Sequence, residues 1–161
     1  IKNFIDIIFN LEKRFSIPIL ISTHPRLRKK IEKNNLKKNK NIIFHKPFGY
    51  FEYMSLQMSA KLVLSDSGSI TEEASILKIP AISLRENIER QEGNDEATIL
   101  MSEINYEKLS RTIDLVLKMK KNFSPKILDD YTSNNVSDKI TRIILSYVDY
   151  INRNVWNKTK E

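Results

Sequence analysis

Residues 61–74 read Lys61-Leu62-Val63-Leu64-Ser65-Asp66-Ser67-Gly68-Ser69-Ile70-Thr71-Glu72-Glu73-Ala74. The Leu- and Val-rich run 61–65 has the length and side chains of a buried strand. It passes through four small or turn-forming residues directly into a segment with helical spacing of its apolar positions. A glycine there lets the backbone turn sharply and approach a ligand. The helix that follows offers unpaired N–H groups and the positive end of its dipole, a suitable seat for a phosphate. The same letters also spell an ordinary capping box, Ser69-x-x-Glu72, in which Ser69 caps the Glu72 amide and Glu72 reaches back. Both readings stand on the residues alone. With Glu72 engaged in the cap, Glu73 points about 100° further round the helix. It is then either a solvated first-turn carboxylate or an acceptor for vicinal hydroxyls such as those of a ribose.

Working outward, short apolar runs alternate with longer amphipathic stretches. Strands are predicted at residues 18–22, 41–44, 61–65, 80–84 and 98–101, and helices at 2–15, 25–34, 51–59, 70–77, 106–120 and 136–156. Such alternation implies right-handed crossovers and a parallel sheet covered on both faces, which is an α/β, Rossmann-like domain. Its ligand belongs outside the carboxyl ends of the strands, in the loops after Ser22, Phe44, Ser65 and Leu84. Residues 37–41 are polar enough for a mobile loop. The last helix follows a turn-rich piece, 131–135, and begins at an Asn cap. Residues 1–130 therefore read as the sheet domain and 131–161 as an appended C-terminal helix.

The 161 residues, 40% of them apolar, suit one compact domain with a real core. There are no cysteines, which excludes disulfides, thiolate metal sites and cysteine nucleophiles. No apolar run approaches the roughly 20 residues of a membrane span. The net charge of +7 is local: Arg26, Arg28, Lys29, Lys30, Lys33, Lys37, Lys38, Lys40 and Lys46 share one stretch, opposed only by Glu32. Without aromatic interleaving this is a solvated face rather than a nucleic-acid surface. The opening Ile1-Lys2-Asn3-Phe4 reads as the middle of a longer protein. No spacing of His, Asp or Glu suggests a metal site, and no cofactor is expected.

The run 64–74, followed by Ile79-Pro80-Ala81, Arg85 and Glu89-Arg90-Gln91-Glu92, closely resembles the signature of the non-hydrolysing UDP-N-acetylglucosamine 2-epimerases. That family usually reads T/S-D-S-G-G-I-Q-E-E-A, then Lys/Phe-Pro, then E-R-P-E. This chain keeps the order and spacing but has Ser69 for the second Gly and Gln91 for the Pro, giving a less open anion loop and an altered turn after Arg90. The resemblance extends to the segments 22–26 and 47–53. Residues 90–98 and the tail 131–156 look more like the capsule and O-antigen branch, which includes enzymes giving UDP-N-acetyl-L-fucosamine.

The resemblance implies the C-terminal half of a two-domain glycosyltransferase-B-type fold. By carry-over, Ser67, Gly68 and Ser69 would bind the diphosphate and Glu73 the ribose hydroxyls. Tyr53 would pack on uracil, whose edge the backbone at Phe48 would read, and Arg90 would meet phosphate and sugar. Arg85 and His45 are taken as structural, and His24, at a strand end, is the one possible catalytic residue. The family reaction eliminates UDP to a 2-acetamidoglycal and re-adds it, with the acid and base carboxylates in an N-terminal domain that this chain lacks. The chain alone is therefore expected to be inactive, and the full enzyme to be cytoplasmic and homo-oligomeric. The alternatives are the donor-binding domain of a UDP-sugar glycosyltransferase, or a catalytically silent UDP-sugar-binding module.

Overall fold

The computed structural model describes residues 2–33, 39–85, 87, 90–119 and 127–158. Helices and strands alternate in chain order: α1 (Lys2–Phe15), β1 (Ile19–Ser22), α2 (Pro25–Lys33), β2 (Ile42–His45), α3 (Tyr50–Ser59), β3 (Val63–Ser65), α4 (Ile70–Leu77), β4 (Ala81–Ser83), α5 (Gln91–Asp95), β5 (Leu100–Met101), α6 (Tyr106–Met119) and α7 (Val136–Asn154). The five strands fall within or one residue from their expected positions. The short helix α5 was not expected. Asn34, Lys37, Lys38, Glu89 and Lys120 of the sequence reading lie outside the described residues.

The chain forms two compact units, Ile1–Leu128 and Asp129–Glu161. In the first, β1 pairs with β2 in parallel, from Ile19 opposite Ile42 to Ser22 opposite His45. A second parallel sheet has the order β3-β4-β5. The expected single sheet is thus two, and no ladder joins them among the described residues. Hydrogen-bond direction identifies the unpaired edges. The amides of Ile19 and Thr23 donate to Asn41 and His45 in the β2 segment, so those of Leu20 and Ser22 face the other edge of β1. Val63 donates to Pro80, so the Leu64 amide likewise points away from β4. Ile19 of β1 and Leu64 of β3 pack on one and the same core cluster, as do Ile82 of β4 and Leu100 of β5.

That shared cluster holds Ile7 and Leu11 of α1, Ile82 of β4, and Leu109, Ile113 and Val116 of α6. Their spacings of four and three put each set on one helix stripe. A second cluster, Val63, Ile70, Ala74, Ile79 and Ala81, joins β3, α4 and β4. Because β4 feeds both clusters, its burial is complete along its length, and Ile82 is wholly inaccessible. At the edge of this core, Arg14 of α1 pairs with Asp114 of α6.

Glu12 accepts hydrogen bonds from the side-chain amides of Asn39 (2.9 Å) and Asn41 (2.7 Å). The end of the polar segment expected to be mobile is therefore tethered to α1. These two donors, Asn41 first, hold the Glu12 carboxyl below its ordinary pKa.

The second unit contains a 3-10 turn, Asp129–Tyr131, and α7. Asn135 occupies the N-cap of α7, but in a left-handed conformation (φ 54°) that forms no side-chain cap.

Candidate functional site

The loop after β3 begins with the Ser67 amide donating to Ser65 Oγ at 3.1 Å, and the Ile70 amide then turns back to the Ser67 carbonyl. Among the described residues no glycine has a positive φ, so Gly68 does not make a left-handed turn here. The expected capping box does not form. Ser69 already has helical backbone (φ −68°, ψ −9°) and makes no side-chain cap, because an N-cap oxygen reaches the next amides from an extended conformation.

Freed from the cap, Ser69 Oγ donates to Glu73 Oε1 at 2.7 Å and shares a 2.9 Å hydrogen bond with Ser67 Oγ. Glu73 Oε2 accepts from Gln57 Nε2 at 2.6 Å. Glu73 is therefore held by two donors, yet each carboxylate oxygen keeps a second lone pair for a ligand. Glu72, read from sequence as the capping residue, turns elsewhere: its Oε1 accepts from Arg90 Nε at 2.7 Å.

Arg90 is the residue that precedes α5, and the position of α5 is set by Gly93. A Cβ at Gly93 would lie 2.0 Å from Thr71 Cγ2, so only a glycine permits this approach of α5 to α4. Arg85, taken as structural, donates through Nε to the Asp66 carbonyl and so holds the loop backbone. Ser67, Gly68, Thr71, Arg85, Arg90 and Asn94 border one open depression, with Ser83 and Met101 at its strand ends. It combines two guanidinium groups, hydroxyls and a helix N-terminus, the donor set that suits phosphate oxygens.

The structure thus joins Ser67, Ser69 and Glu73 in one hydrogen-bonded chain and places Gly68 and Arg90 around the same depression as Ser67. Tyr53, half-buried, lies one helical turn before Gln57 and shares its face of α3. Since Gln57 reaches Glu73, that face borders the first turn of α4. Phe48, just beyond β2, stacks on His45 with ring centroids 4.1 Å apart and planes 7° from parallel. His24 lies just beyond β1, and its carbonyl accepts the Leu27 and Arg28 amides that open α2. Gln57 and Gly93 were not singled out from the sequence. A lone glutamine one turn after Tyr53 on a mostly apolar helix was the available signal for the first. Gly93 gave none, because its contact with Thr71 is not local.

Among the described residues, no three His, Asp or Glu side chains gather where a metal ion could be held, and no helix is long and apolar enough to cross a membrane.

A parallel α/β domain with a loop of hydroxyls and guanidinium groups at its strand ends is a Rossmann-like unit. The family model for UDP-N-acetylglucosamine 2-epimerase matches residues 1–145, and the chain belongs to that family. It is 35% identical over 148 residues to the UDP-N-acetylglucosamine 2-epimerase of Methanocaldococcus jannaschii, covering 89% of this chain and 39% of that protein. Its fold superposes on the UDP-N-acetylglucosamine 2-epimerase of Rickettsia bellii with a TM-score of 0.86 at 40% identity, over 98% of this chain and 44% of that one. The M. jannaschii enzyme, solved in complex with UDP-GlcNAc and UDP, gives a TM-score of 0.74 at 35% identity, over 91% and 40%. The chain spans about two fifths of the length of these relatives.

Proposed function

We propose that this chain is the UDP-binding part of a cytoplasmic sugar-nucleotide 2-epimerase that inverts C2 of a UDP-2-acetamido sugar for capsule or O-antigen synthesis. The observation that carries the reading is the hydrogen-bonded chain Ser67, Ser69, Glu73 at the first turn of α4, beside the Glu72-anchored Arg90. The backbone amides of Gly68 and Ser69, just before α4, meet the diphosphate and Arg90 supports its charge, while the Ser67 and Ser69 hydroxyls hold Glu73 to accept from the ribose hydroxyls. Tyr53 stacks on uracil, and the Phe48 backbone reads its edge. The relative of known structure that holds UDP supports this choice of ligand.

In the reaction, the C2 proton and the C1–O bond to UDP are lost together, leaving a 2-acetamidoglycal. A proton returned to the opposite face of C2 and re-addition of UDP at C1 complete the inversion. The leaving diphosphate is stabilised by the cations and amides described above. The carboxylates of the site, Glu72 and Glu73, are engaged by Arg90, Ser69 and Gln57. The acid and base for C2 are therefore assigned to an N-terminal domain of the longer, homo-oligomeric protein.

Calorimetric titration of the chain tests the reading: UDP binds more tightly than UMP, and both more tightly than ADP. Equal affinity for UDP and ADP contradicts it. Incubation with UDP-N-acetylglucosamine in deuterated water leaves C2 unlabelled, whereas chain-dependent deuterium at C2 would move the catalytic groups into this domain.

A further inference from the structure

Gln57 is 3% exposed, and its two amide atoms fare differently. Nε2 donates to Glu73 Oε2 at 2.6 Å, while Oε1 is buried without a hydrogen-bond partner. Reversing the amide would set its oxygen against the carboxylate, so the acceptor character of Glu73 fixes the orientation. An amide with one buried end unpaired is less stable in such a place than a leucine or methionine of similar volume. Packing alone therefore does not account for a glutamine here.

The bond has a geometric consequence. Ser69 holds Oε1 of Glu73 and Gln57 holds Oε2, so the carboxylate cannot rotate about its last bond without breaking both. Its remaining lone pairs are thereby presented in one fixed plane. A vicinal diol, whose two hydroxyls lie at a set spacing, gains most from such an acceptor, because the ordering cost is met before it binds.

We propose that Gln57 is a positioning residue that sets the Glu73 carboxylate to accept the two ribose hydroxyls, and so gives the site its selectivity for a ribonucleotide. This rests on the reading of Glu73 as the ribose acceptor. Gln57 touches no ligand atom itself; its effect passes through Glu73.

The test compares UDP with 2′,3′-dideoxy-UDP by calorimetry on the full chain, on Gln57→Leu and on Gln57→Glu. The unaltered chain prefers UDP by about tenfold or more. Gln57→Leu removes most of that preference and leaves affinity for the dideoxy nucleotide within about twofold. Equal weakening of both nucleotides, or an unchanged preference, overturns the assignment and reduces Gln57 to packing. Gln57→Met repeats the comparison with a different apolar shape should the leucine variant fail to fold.

Gln57→Glu adds a readout that a packing role would not move. Two carboxyls at this separation share a proton, and the like charge raises the pKa of the pair. UDP binding by this variant is close to normal at acid pH and weakens as pH rises through that raised pKa, whereas the unaltered chain shows no such fall. A flat profile in the variant also overturns the proposal. If the unaltered chain itself does not distinguish UDP from the dideoxy nucleotide, Glu73 is not the ribose acceptor, and the parent reading fails first.

Discussion

Arg90 and Glu72 lie 18 positions apart in sequence, yet Arg90 Nε donates to Glu72 Oε1 at 2.7 Å. This bond ties the start of α5 to the first turn of α4. The second oxygen of Glu72 is buried without a hydrogen-bond partner, so the carboxylate is committed to one cation. Glu72→Ala removes this tether of the Arg90 side chain and is expected to lower UDP affinity about fivefold. Both side chains are partly exposed, so the accompanying loss of stability is about 0.5–1 kcal/mol. Calorimetry and thermal melts on one variant read the two effects separately.

Glu73→Gln is expected to behave in the opposite proportion. The new amide can donate to Gln57 once that side chain reverses and presents Oε1, now without a partner. Stability therefore changes by less than about 0.5 kcal/mol. A ribose hydroxyl loses a charged acceptor, and UDP affinity falls about ten- to a hundredfold. A large drop in melting temperature would show that Glu73 is chiefly structural.

Gly93→Ala places a methyl group 2.0 Å from Thr71 Cγ2. Helix α5 must shift, carrying Arg90 with it, at a cost of about 1–3 kcal/mol and with weaker UDP binding. Thr71→Ser removes the clashing methyl; the remaining Thr71 neighbours of the added Cβ are Cβ at 3.4 Å and Oγ1 at 3.8 Å. The double variant Gly93→Ala/Thr71→Ser should recover most of both losses. Failure of that rescue in melts and titrations would show that the contact does not set the position of α5.

Much of this organisation was legible in the sequence because it is local. The run 61–65, the apolar stripes of α1 and α6, and the loop 66–69 declare themselves through spacing and turn residues. The capping box failed as a reading because Ser69 takes helical backbone, which pattern alone does not reveal. Helix α5 has five residues with a glycine at its centre, too few to show a period. The partners of Glu72 and Glu73, namely Arg90 and Gln57, come from other elements, and pairings made by the fold leave no mark in a window of neighbouring residues.

The division of the sheet is non-local in the same way and gives its own prediction. The amides of Leu20, Ser22 and Leu64 face the unpaired edges of β1 and β3, whereas Thr23 and Val63 donate into their sheets. Hydrogen exchange should therefore be faster at the first three by about tenfold or more. Equal protection would show that the two sheets are bridged.

Glu12 provides a pH dependence with a definite sign. Its pKa is lowered in the folded chain by Asn41 and Asn39, so its contribution is present above the ordinary carboxylate range and is lost as pH falls through the lowered value. Melts of the chain and of Glu12→Gln should differ at neutral pH and converge in acid. A difference that widens in acid would contradict the assignment.

The central claim, that the loop between β3 and α4 holds UDP, is tested most directly by NMR titration of the chain. The account predicts saturable amide shifts on UDP at residues 67–69, Glu73 and Arg90, with smaller shifts on UMP and little response to ADP. Shifts absent from residues 67–69, or the same response to ADP as to UDP, would contradict it.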